Sequence, residues 1–175
     1  MQQCIGLRAR ALSGMLAAMA TWKEFSDAAP ELARAARELL DAHVHKTIAT
    51  LRADGSPRIS GIEAQVLMDD LWFGSMPGAV KARDLQRDPR FALHSGSEDP
   101  PAWKGDAKVG GRVEEVTDPE RMREVFEAMG HPQSGPSHLF RCELSEVSTV
   151  RLGEPADHLV IDSWREGQEP KRIRR

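Results

Sequence analysis

From residue 46 onward the chain alternates with a period of two, and tight turns rather than helices join its first three runs. Residues 46–52 (KTIATLR) form the first run, Ala53-Asp54-Gly55-Ser56 carries an Asp-Gly turn signal, and residues 57–68 return. Asp69-Asp70 then turns the chain into residues 71–75 (LWFGS). Three strands arriving as an antiparallel meander argue against a doubly wound parallel sheet, whose strands need crossover helices between them. Gly61, inside the long second strand, predicts a bulge that bends the strand around a barrel.

The remaining segments extend this pattern. Pro30 opens a helix whose apolar stripe (Leu32, Ala35, Ala36, Leu39, Leu40) runs to about His43 and is expected to cap a barrel end. A short helix is predicted over residues 79–86, stopped by Asp88-Pro89, followed by strands over 90–94 and 106–116. Asp118-Pro119 supplies an N-cap and first-turn proline for a helix with Met122, Val125, Phe126 and Met129 on one face, ended by Gly130. Strands over 139–152 and 159–164 complete the set. The expected fold class is therefore mainly β with a few helices, six or seven strands closing into a barrel plugged by short helices.

At 175 residues the chain fits one domain, here 21–165, with 166–175 read as a polar basic tail. Arg8 and Arg10 before a weakly apolar stretch imitate a secretory signal, but Ser13 and Gly14 interrupt it. Residues 1–20 are accordingly expected to be a disordered extension, or an upstream start with Met19 as the natural initiator. The net charge of −3 gives no general pull toward nucleic acid, and no apolar run reaches the length of a membrane span. Cys4 and Cys142, far apart and without metal-ligand spacing, read as unpaired thiols of a cytoplasmic protein, and no metal site is expected.

The segment richest in chemistry is LWFGSMPGAVKARDLQRDPR, residues 71–90. A strand ends in Gly74-Ser75, crosses Met-Pro-Gly, and enters a helix bearing Lys81 and Arg83. Helix N-termini present unsatisfied N–H groups and positive partial charge, so cations there are unfavourable unless an anion is bound. Ser75 adds a hydroxyl and Gly78 lets the backbone approach. Lys81 and Arg83, two residues apart, reach one anion only at the helix end. A solvated basic turn is the competing reading. Arg58 and Ser60 share one face of the second strand, beside this seat if the meander pairs. The histidines lack metal or nucleophile spacing, though His94 ends a strand beside a variable loop. Trp103 and Trp164 each have two readings, a cover for a planar ring or an anchor within the barrel. No catalytic acid or base stands out.

These stretches carry a resemblance. DGSPRISGIEA, then LWFGSMPGAVKARDLQRDPRFAL, then GDAKVGGRVEEV are similar to the pyridoxamine-phosphate-oxidase-like family of split β-barrels, which includes flavin and deazaflavin (F-420) dependent oxidoreductases. The resemblance covers residues 30–116 well and extends more loosely to Trp164. It implies a homodimer with FMN or the deazaflavin coenzyme F-420 in a cleft between subunits, acting by hydride transfer on a small-molecule substrate. It implicates Arg58, Ile59, Ser60, Gly74, Ser75, Lys81 and Arg83 in cofactor binding. Asp106 falls where oxidases of the family place an amide near the ring edge. The final HLVIDSWREGQEPKRIRR lacks the Arg-x-His-Asp-Arg spacing with which true oxidases hold the vitamin-B6 phosphate, so that activity is not expected. Arg52, Arg58, Lys81 and Arg83 suit a poly-acidic cofactor tail, which leans the expectation toward F-420. The alternative in a different class is a non-catalytic carrier or sensor of flavin, deazaflavin or haem.

Overall fold

The computed structural model describes residues 19–132 and 135–175. It opens on a helix that the periodicity does not predict, α1 (Trp22–Ala28). Its signal is a capping box. Thr21 Oγ1 accepts from the Glu24 N–H at 3.1 Å, and the Glu24 carboxylate accepts from the Thr21 N–H at 2.8 Å. The expected proline-led helix follows as α2 (Pro30–Asp41), which buries Leu32, Ala33, Ala36 and Leu40.

The strands are β1 (His45–Leu51), β2 (Pro57–Leu67), β3 (Asp70–Ser75), β4 (Arg90–His94), β5 (Asp106–Val116), β6 (His138–Leu152), β7 (Leu159–Arg165) and β8 (Lys171–Arg174). Helix α3 (Val80–Arg87) joins β3 to β4, and α4 (Pro119–Ala128) joins β5 to β6. Antiparallel pairing runs β3-β2-β1-β4-β5-β6, and β6 returns to β3, so six strands close into a barrel. The meander is as expected. Its second turn carries positive φ at Met68 (49°) and Asp69 (66°), the twist a two-residue hairpin prefers.

β6 changes partners along its length. Residues 138–142 pair with β3, and 146–152 pair with β7 on the same edge. Between them Leu144 exchanges backbone hydrogen bonds with Ala20, at 3.0 and 2.7 Å. Ala20 is buried there, while residues 1–18 of the expected extension, Cys4 included, lie outside the described residues.

The expected bulge at Gly61 is absent. The β1–β2 register runs unbroken from His45↔Glu63 to Leu51↔Pro57. The irregularity lies instead at Gly110/Gly111, where Ser145 of β6 is left over and its Oγ donates to the Gly110 carbonyl at 3.1 Å. A Cβ on Gly111 would lie 2.0 Å from the Glu143 carbonyl oxygen, so only glycine allows β5 and β6 to come this close. Residues 166–175 form no free tail: the chain turns at Gly167 and returns as β8, pinned where Arg172 grips Asp162 at 2.6 and 3.0 Å.

Helices close the barrel. α1 and α2 cover one end, with Phe25 against Trp164 at 4.9 Å between ring centres, so Trp164 is a barrel anchor. α3 contributes Ala82 and Leu85 to the same core, and α4 packs Val125, Phe126 and Met129 on Trp72 and Leu139. Among the described residues no helix is long and apolar enough to cross a membrane.

Candidate functional site

β3 ends at Gly74-Ser75, and the chain reaches α3 through Met76-Pro77-Gly78. Gly78 takes φ +71°, a conformation that favours glycine. No side chain caps α3, its first turn holds no acid, and Arg87 lies in its last turn. Its N-terminus therefore keeps its positive partial charge with no acid in its own first turn to answer it, although Glu63 of β2 lines the same cavity. Lys81, in that first turn, reaches across to β2 and donates from Nζ to the Gly61 carbonyl at 2.9 Å. An ammonium has three donors and a neutral carbonyl uses one. A cavity of about 540 Å³ opens here, between Gly61, Gly74, Ser75 and Lys81 on one side and Phe126 and His131 on the other. Its size is that of a small-molecule site. Ser75 Oγ is buried and has no hydrogen-bond partner among the described residues. An uncapped helix start, a lysine with spare donors and an orphaned hydroxyl fit a phosphate.

Gly74, Ser75 and Lys81 are thus brought together; the other residues implicated by sequence lie elsewhere. Arg58 turns into the barrel end, where its Nε donates to Asp84 Oδ2 at 2.6 Å. Asp84 also accepts from Thr50 Oγ1 and from Arg87, each at 3.0 Å, and Arg87 donates to the Leu51 carbonyl as well. Burial pushes the Asp84 carboxyl up, but the hydrogen bonds from Arg58, Arg87 and Thr50 outweigh it and hold the group below the usual carboxylate range. Asp84 is therefore a brace that ties β1, β2 and α3 around the seat. Nothing in the sequence marks it except its place between Ala82 and Leu85, the buried positions of α3. Ser60 is half-buried on β2, and Arg83 is exposed on another face of α3 from Lys81.

Ile59 points outward and is 74% exposed. It begins a row of facing residues that crosses four strands, Ile59–Ala49–Ala92–Gly110. The small side chains make a shelf on the outer barrel face, within a groove of about 500 Å³. The adjoining row reads Gly61–Thr47–His94–Lys108–Ser148. Gly61, whose carbonyl holds Lys81, therefore sits at the corner where the phosphate seat meets the shelf. Adjacent strands are about 4.8 Å apart, so a molecule with a phosphate at Lys81 and a planar ring on the shelf needs to span only two or three strands. Trp103 does not lie on the shelf; its indole N–H donates to Asp106 Oδ1 at 3.1 Å.

A cavity of about 570 Å³ lies between α2 and β8. It suits an anion less well. Glu31 already occupies the first turn of α2, and Arg172 there is paired with Asp162.

Comparison with known proteins agrees with this architecture. No curated protein matches the chain. Among solved structures, a pyridoxamine 5'-phosphate oxidase-related, FMN-binding protein of Nostoc punctiforme is similar with a TM-score of 0.57 and 16% identity, over 86% of this chain and 96% of that one. A haem-binding protein of Mycobacterium smegmatis is similar with a TM-score of 0.59 and 19% identity, over 74% of this chain and 56% of that one. A conserved hypothetical protein of Mycobacterium tuberculosis is similar with a TM-score of 0.54 and 21% identity, over 66% and 81% respectively. At these identities the likeness is one of fold. The family model for pyridoxamine 5'-phosphate oxidase matches residues 32–151, which span the closed barrel, the shelf and the α3 seat. On that match and on this barrel, the chain belongs to the pyridoxamine 5'-phosphate oxidase-like family of split β-barrels.

Proposed function

We propose that this chain is a cofactor-dependent oxidoreductase that holds a phosphorylated flavin, FMN or the deazaflavin coenzyme F-420. The observation that carries the reading is the uncapped start of α3 with Lys81 bridging it to Gly61, directly beside the shelf. Lys81 and the α3 amides bind the phosphate, and Ile59, Ala49 and Ala92 support the ring. When bound, the ring supplies or accepts the hydride exchanged with a small molecule. Arg58, fixed by Asp84, sets the position of β2 under the ring rather than gripping the phosphate through Nε. Anaerobic fluorescence and calorimetric titrations with FMN and with F-420 test the reading. Saturable binding of one of them, at one per chain, is expected. Failure of both to bind would overturn it. Binding without turnover across quinones, tetrapyrroles and nitro-aromatics would favour a carrier.

The active form in this reading is a homodimer. Val150, Ile161 and Ile173 face one another in register, two residues beyond Ser148 on the same side of the sheet as the shelf. Leu152 (46% exposed) and Ile173 (43%) join Ile59 as exposed aliphatic side chains on that side. Such a face is costly in water and suits a second copy, which would also roof the shelf. Ile59→Asp is expected to shift the apoprotein from dimer to monomer at micromolar concentration in analytical ultracentrifugation, with its far-UV spectrum unchanged.

A further inference from the structure

Resting on that reading, we propose that His94 is the proton donor of the site, serving an unsaturated acceptor that stacks on the ring held by the shelf. His94 ends β4 in the polar row, flanked by Thr47 and Lys108, and lines the groove that Ile59, Ala49 and Ala92 also line. Its Nδ1 lies 2.7 Å from the Ser95 carbonyl oxygen. A carbonyl only accepts, so Nδ1 carries a proton and Nε2 is left for exchange. Nε2 faces Asp106 Oδ2 at 4.0 Å, too far for a direct hydrogen bond. Asp106 is held in turn by the Trp103 indole at 3.1 Å. The imidazole is thus oriented from one side by the backbone and backed on the other by a fixed carboxylate. Its side chain is 39% exposed, and the residue is part of the groove wall. A ring fixed by a carbonyl on Nδ1, with a carboxylate beyond Nε2 and an edge in the groove wall, is the geometry of a proton-transfer histidine.

The step balances as follows. A quinone acceptor takes a hydride from the reduced flavin or deazaflavin on one carbonyl oxygen, the donor's hydride-bearing bond breaks, and the π electrons move through the quinone ring onto its other oxygen. That oxygen takes the proton from Nε2 of cationic His94, leaving hydroquinone and a neutral imidazole, which solvent reprotonates.

The test uses the full chain loaded with reduced FMN or reduced F-420 and mixed anaerobically with a naphthoquinone under single-turnover conditions. His94→Gln should bind the cofactor within about twofold of wild type but slow its reoxidation by about 100-fold, the scale of general acid catalysis. Added imidazole should restore His94→Ala. Equal rates in wild type and His94→Gln would overturn the assignment. So would a rate loss that tracks lost cofactor affinity without imidazole rescue. If wild type binds the cofactor but leaves the quinone unreduced, nitrogen NMR of the ring decides: the Nε2 resonance should move when cofactor is added, and a static one overturns the proposal. Absence of cofactor binding to wild type would instead remove the reading on which it rests.

Discussion

Lys81→Glu is expected to abolish measurable binding of FMN or F-420 while the protein melts as wild type. The side chain is half-buried in the first turn of α3, and its partner is the Gly61 carbonyl, so the fold loses one modest hydrogen bond. A glutamate in a first turn is favoured by the helix dipole, which offsets part of that loss. The cofactor loses much more. Removing a charge-assisted hydrogen bond, as in Lys81→Ala, weakens binding by about 1.5–3 kcal/mol. Reversing the charge adds repulsion against the cofactor phosphate, on the order of 4 kcal/mol per unit charge at about 4 Å near a surface. The two together exceed a thousandfold in Kd, and calorimetry alongside a thermal melt separates them from unfolding. Retained affinity in Lys81→Glu would place the phosphate elsewhere.

The barrel was legible because its information is local. Strand alternation, the Asp-Gly turn and the Asp118-Pro119 helix start each lie within a few residues, and the strands from β1 to β7 fall where those signals put them. α1 escaped notice because at 7 residues it is too short to show a periodic stripe, and only the Thr21–Glu24 box announces it. The bulge was assigned to the wrong glycine for a similar reason. Gly61 and Gly111 look alike in sequence, and what distinguishes them is a neighbour from β6. The strand-to-helix crossing that carries Lys81 was legible because Gly78 and the Asp88-Pro89 stop are local signals; the anion it calls for belongs to the proposal. The shelf was not. Ala49 and Ala92 acquire meaning only through the β1–β4 pairing, which no turn encodes. Arg58 read as a phosphate ligand because the partner it has in this structure, Asp84, is a carboxylate buried between Ala82 and Leu85 on a short, highly charged helix.

That buried carboxylate predicts the largest loss of stability. Asp84 is 3% exposed and accepts hydrogen bonds from Thr50 on β1, Arg58 on β2 and Arg87 on α3. Asp84→Ala removes the anion and leaves the Arg58 guanidinium, 23% exposed, facing a cavity without a counter-charge. Breaking a buried pair from one side costs about 3–5 kcal/mol, more than replacing both partners would. Asp84→Asn keeps an acceptor oxygen and the shape, so its cost is smaller, about 1.5–3 kcal/mol, the scale of a hydrogen bond to a charged group. Urea denaturation at neutral pH resolves the two. The pH dependence has a fixed sign. The folded carboxyl titrates below its ordinary range, so the folded protein binds this proton less readily than the unfolded chain does. Its contribution is fully present above the unfolded value of about 3.9 and fades as pH falls through the lower folded value. The stability gap between wild type and Asp84→Asn should therefore be constant near neutrality and close progressively below about pH 4. Because the same carboxylate sets where β2 meets α3, Asp84→Asn should also weaken cofactor binding under conditions in which it is fully folded. A gap that widens in acid would contradict the ionised brace, and cofactor affinity indifferent to Asp84→Asn would show that the brace and the seat are independent.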